Sequence, residues 1–166
     1  MTTASMPTWV PALLAGLLFL GWRQSQPGTV RPRALMIIAL VMAGLSVRSV
    51  LGGLGAQPLV LLAWLASYAA ALRAGARHFT AQGLTATGRG VQVPGSWMPM
   101  VLILGIFGTN TAVGVATALH SPLLAQPAVA TALAVLIGLF GGGLGGRALA
   151  VWRCATAARS LPLAVA

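Results

Sequence analysis

Five apolar stretches, at about residues 6–22, 34–51, 58–72, 96–119 and 128–151, make up most of this chain, and only two charged side chains, Arg48 and Arg147, fall inside them. A helix rises about 1.5 Å per residue and a bilayer's hydrocarbon core is about 30 Å thick, so stretches of this length and character are expected to be membrane-spanning helices. A soluble domain is excluded by charge. Its surface needs roughly a quarter charged residues, whereas here the charged fraction is 6% against 58% hydrophobic. The expectation is an all-α membrane protein, a single transmembrane domain over residues 1–166 built as a five-span helix bundle.

All ten charged residues are arginine, with no Lys, Asp or Glu. Nucleic-acid binders cluster their basic residues on a soluble scaffold, and the longest cluster here is the pair Arg31 and Arg33 around Pro32, so no nucleic-acid partner is expected. If the N-terminus starts outside and the chain crosses five times, Arg23, Arg31, Arg33, Arg73, Arg77, Arg89, Arg147, Arg153 and Arg159 all lie inside. The two external connections then carry no charge, as the positive-inside rule demands. Trp22, Trp97 and Trp152 fall at internal span ends, where interfacial aromatics belong. The first stretch has no positive charge before it and arginine after it, the reverse of a cleaved signal peptide, so an uncleaved span with the N-terminus outside and the C-terminus inside is expected.

Two connections differ in texture. Residues 23–33 hold Gln24, Ser25, Gln26, Pro27 and Gly28, a composition that argues against regular structure. In the longer internal connection, residues 84–87 and 91–93 flank Gly88, Arg89 and Gly90, which fits either a short β-hairpin against the headgroups or a disordered loop.

At Pro94, Gly95, Ser96 and Trp97, followed by the apolar run 98–107, and again over 141–147 where glycines lead into Arg147, the chain resembles a family of small uncharacterised bacterial inner-membrane proteins. That family has a PGSW-like approach to its fourth span and a glycine-rich exit followed by arginine. The chain is more faintly similar to the CcdC-type proteins linked to cytochrome c maturation. The likeness covers most of the chain in layout and little of it in motif. It implies a multi-pass protein of the bacterial inner membrane and assigns no activity.

Few residues offer chemistry. Arg48, in the outer part of the second stretch, is the charge that departs from the positive-inside pattern. A guanidinium there either snorkels to lipid phosphates or lines a polar cavity and meets an anionic group, and no carboxylate of this chain can pair with it. Asn110, between Thr109 and Thr111, is the next most polar intramembrane candidate, suited to interhelical bonding or to solute contact. Gly138, Gly142 and Gly146 recur at intervals of four, which lets another helix approach closely, either within the chain or from a second copy.

Catalysis is not expected. Without Asp or Glu there is no carboxylate acid or base, and His78 and His120 belong at opposite ends of the spans, too far apart to share a metal. Cys154 is the sole cysteine and reads as a small packing residue. No cofactor is expected. The favoured expectation is a non-enzymatic structural or assembly component whose partners are the lipid bilayer and another membrane protein or a second copy of itself. The alternative is a small-solute or ion transporter or channel using Arg48 and Asn110.

Overall fold

The structure is a computed structural model that describes residues 15, 16, 19, 22, 25–54, 57–87 and 90–160, with side chains through residue 158. Among the described residues four helices have defined bounds: α1 (Pro32–Gly53), α2 (Pro58–Ala81), α3 (Met98–Ala118) and α4 (Pro127–Ser160). A 3-10 turn, Pro122–Ala125, joins the last two. All four helices are long and apolar enough to cross a membrane. The first expected span, 6–22, falls almost wholly outside the described residues, so the described helices support four crossings and the count of five goes beyond them.

Proline opens each of these elements. Pro32, Pro58, Pro99, Pro122 and Pro127 all sit in a first turn, where the missing N–H would have no intrahelical partner in any case. The ends are set differently. The third stretch was expected to stop at residue 72, yet α2 runs on to Ala81, because Arg73 and Arg77 mark where the apolar stretch ends and nothing there breaks a helix. For the same reason α4 outruns its expected end at 151 and reaches Ser160. The end of α3 is a Schellman closure in which Ser121 N–H donates to Ala116 O at 2.9 Å and His120 N–H to Thr117 O at 3.0 Å. This places His120 at φ 49°, a left-handed position more often given to glycine.

The internal connection does contain strands, and they form more than a hairpin. β2 (Thr85–Thr87) and β3 (Gly90–Val93) pair antiparallel with Thr87 opposite Gly90. A third strand, β1 (Gly28–Val30), pairs antiparallel on the other edge of β3 with Val30 opposite Val91, so the order is β1-β3-β2. The region expected to lack regular structure therefore supplies a strand. Its pairing is what the local composition could not reveal, since the partner lies some sixty residues away. Gly90 is needed at this crossing, because a Cβ there would sit 2.6 Å from Val30 O. Val91, Val93 and Val151 are buried together beneath the sheet, with Val30, Leu84 and Cys154 packed around them, which fastens the sheet to the C-terminal half of α4. Cys154 Sγ lies 3.6 Å from Leu84 O.

The sheet gives the bundle two unlike ends. Arg31 and Arg33 open α1 beside β1, Arg73 and Arg77 lie in the last turns of α2 before β2, and Arg147 and Arg153 lie in the part of α4 that runs towards the sheet. Of the seven arginines whose side chains are described, only Arg48 lies towards the other end.

Helix α4 is the hub, packing on α1, α2 and α3. Residues 141–148 are buried throughout, although 141, 142, 143, 145 and 146 are glycine. In water each such glycine would cost a helix about 1 kcal/mol relative to alanine. Within lipid an unpaired backbone amide costs several kcal/mol, so the segment stays helical and its missing side chains become room for neighbours.

Candidate functional site

Glycine decides where the helices come close, and its absence of bulk on one side leaves a gap on another. Helices α2 and α4 run parallel in tight contact. A Cβ at Gly138 would collide with Ser67 Oγ, one at Gly142 with Tyr68 O and, at 3.0 Å, with Ala71 Cβ, and one at Gly146 would lie 2.6 Å from Leu72 O and 3.0 Å from Gly75 C. So the three glycines of α4 face three small residues of α2, Ser67, Ala71 and Gly75, at the same spacing of four. The partner of the glycine stripe is a helix of the same chain. Its matching half on α2 was legible as a small-residue repeat and was missed, because serine and alanine are unremarkable in an alanine-rich span.

At the sheet end of this seam sits Arg147, which was expected at the inner membrane surface. It is instead 2% exposed, within α4, with its guanidinium carbon 5.9 Å from the centroid of the Phe79 ring. Phe79 is itself 1% exposed, and His78 packs edge-on against it at 5.4 Å between centroids. The reason is geometric: the helix runs on past the glycines, and a side chain one residue after Gly146 is directed into the seam rather than beyond it. The ring face offers a cation partial compensation for burial.

Helices α1 and α3 each pack on α4 and only sparsely on each other. Between them lies a cavity of about 1530 Å³, walled by residues 42–53 of α1 and 103–118 of α3 and floored by Ile137, Gly141 and Leu144 of α4. Arg48 and Asn110 both line it. They are nearly level: a Cβ at Gly53 would lie 2.8 Å from Val113 Cγ1, and five residues earlier on each of these parallel helices come Arg48 and Gly108. Two residues separate that level from Asn110, about 3 Å along the axis. Beyond the polar zone, Leu102 seats over Gly143 and the Phe140 ring over Gly105, which joins α3 to α4 beneath the cavity.

The polar side chains of α3 turn to their own backbone. Asn110 Nδ2 donates to Ile106 O at 2.8 Å, Thr109 Oγ1 to Gly105 O at 2.8 Å and Thr117 Oγ1 to Val113 O at 2.8 Å. Asn110 thus makes an intrahelical bond in place of the interhelical one considered for it, leaving its carbonyl oxygen for the cavity. The interhelical bond lies elsewhere. Buried Ser46 of α1 accepts from Trp64 Nε1–H of α2 at 2.9 Å, and the Trp64 and Tyr68 rings lie 5.6 Å apart between centroids with their planes tilted by 39°. Arg48 is exposed, and among the described residues no acidic side chain exists to neutralise it.

The two histidines are far apart in the fold, His78 near the end of α2, where its Nε2 lies 2.9 Å from Gln82 Nε2, and His120 just beyond α3. The site is therefore an apolar groove with one cation and one amide, suited to holding a molecule and without a general base among its lining residues.

No curated protein and no solved structure matches the chain. A family model, described as a family of unknown function (DUF6622), matches residues 2–160. That match carries neither the CcdC likeness nor the PGSW-like segment as a family mark. Covering nearly the whole length, it establishes that the chain belongs to DUF6622, a family of unknown function.

Proposed function

We propose that this is a non-enzymatic, multi-pass protein of a bacterial inner membrane that takes a small molecule from the bilayer into the groove between α1 and α3. In this reading the stretch 6–22 adds a fifth crossing, the N-terminus lies outside, and the sheet with its arginines lies inside. The pairing of β1 with β3 supports the placement, since it joins two connections that alternate crossing assigns to one side.

The observation that carries the ligand-handling role is that Arg48 and Asn110, the two polar outliers of the spans, line one cavity. Of the surfaces that a purely structural role could use, the glycine stripe was open to a helix of the same chain or to a second copy. That stripe is occupied by α2.

Gly114 offers the test. It lines the cavity, and a Cβ there meets nothing within 4 Å, so Gly114→Leu adds bulk to the groove wall at a position with room for its Cβ. Native mass spectrometry of the protein extracted in mild detergent is expected to find a retained small molecule on the wild type, and to find it lost from Gly114→Leu at unchanged thermal stability. Equal retention by both forms would remove the groove as the binding site.

A further inference from the structure

We propose that the occupant of the groove is an anionic phospholipid, its phosphate on Arg48 and one acyl chain lying between α1 and α3. This deepens the ligand-handling reading and rests on it.

Size comes first. Sites for compact small molecules have volumes of roughly 300–1,000 Å³. The groove, at about 1530 Å³, is larger. It is also elongated: from Met42 to Gly53 it follows α1 for about 17 Å, and from Ile103 to Ala118 it follows α3 for about 22 Å. That length exceeds half of an approximately 30 Å hydrocarbon core, the depth of one leaflet. The walls suit a chain, with Leu45, Leu51, Ile103, Ile106 and Phe107 along them, and Leu45 and Leu51 are half exposed, so the groove opens sideways to lipid.

Charge then selects the headgroup. Arg48 lies five residues before the end of α1, about 7.5 Å along the axis, close enough for a guanidinium to reach the phosphate level. It is the one described arginine away from the sheet end, and the chain has no Asp or Glu, so no acidic side chain competes with an anionic occupant for it. A guanidinium matches phosphate with paired N–H donors. Within half a turn of that level, the free carbonyl oxygen of Asn110 can accept from a hydroxyl of the headgroup or glycerol.

The test uses the whole purified chain, stripped in detergent and then given phosphatidylglycerol and phosphatidylcholine of equal chain length, with retention read by native mass spectrometry. The wild type should hold phosphatidylglycerol at least about tenfold more tightly, because phosphatidylcholine offers the same phosphate but sets its trimethylammonium against Arg48, whereas the charge of phosphatidylglycerol is uncompensated. Arg48→Gln should lose one bound phosphatidylglycerol and still hold phosphatidylcholine, while Arg73→Gln at the sheet end keeps the groove's preference. If Arg48→Gln changes nothing but Gly114→Leu still strips lipid, the groove stands and the anionic assignment is overturned. If Gly114→Leu strips nothing, the groove reading itself falls. Displacement of phosphatidylglycerol by an equal concentration of glycerol phosphate would identify a free-anion site and would also overturn the lipid assignment.

Discussion

Gly142→Ile is expected to lower the thermal stability of the detergent-solubilised protein more than any other single replacement along the α2–α4 seam. The new Cβ would collide with the Tyr68 carbonyl oxygen and crowd Ala71, and a backbone oxygen cannot move aside as a side-chain tip can. Ordinary overpacking costs about 1–3 kcal/mol, and a clash that forces two backbones apart belongs at or above the top of that range. Separation would propagate, because Gly138 and Gly146 meet the same helix one turn to either side. Gly108→Ile is the matched control: a Cβ there meets nothing within 4 Å, so a comparable increase in bulk should leave the unfolding temperature nearly unchanged. Equal unfolding temperatures for the two variants would mean that the seam is not a close helix contact.

Phe79→Ala should have an effect of comparable size, at about 3–5 kcal/mol, the usual cost of deleting a buried aromatic ring. Phe79 is among the largest fully buried side chains, and its ring covers the Arg147 guanidinium. Phe79→Leu separates the two contributions. It keeps most of the volume and removes the ring face, so it should cost only the cation–π share, about 0.5–2 kcal/mol. Chemical unfolding of both variants in detergent gives the comparison, and equal losses for Ala and Leu would assign the whole effect to the ring's interaction with Arg147 and none to the cavity.

Sequence patterns exposed some of this architecture and hid the rest, for reasons that differ by residue. Apolar runs located the four described helices, since length and hydropathy are local properties. The same runs gave poor ends for α2 and α4: arginine stops a lipid-embedded stretch but is a good helix former, so the helices continue through Arg73, Arg77 and Arg153. Strand β1 was hidden because a three-residue strand is specified by the edge it pairs with, here β3, and by the apolar cluster under Val91, neither of which lies nearby in sequence.

The site was legible in part. Arg48 and Asn110 stand out as polar residues in apolar runs, which marks them as candidates one at a time. Their meeting in one cavity depends on how far α4 holds α1 from α3, a distance set by Gly53, Gly105 and Gly143 jointly and invisible in any one segment. Arg147 shows the converse. Its position in the charge pattern suited an inner-surface role, and only the course of α4 past the glycines reveals that it is buried against Phe79.

Groove, arginines and sheet take up the proposed arrangement only if the two ends of the bundle lie on opposite sides of a membrane. Single cysteines at Gln57 and Leu123, at the sheet-free end, and at Thr29 and Thr87, in the sheet, can be placed in a Cys154→Ser background and treated with a membrane-impermeant maleimide in intact cells. Labelling of Gln57→Cys and Leu123→Cys from outside, with Thr29→Cys and Thr87→Cys labelled only after the membrane is permeabilised, is the predicted result. Labelling of Thr87→Cys and Gln57→Cys from the same side would contradict it.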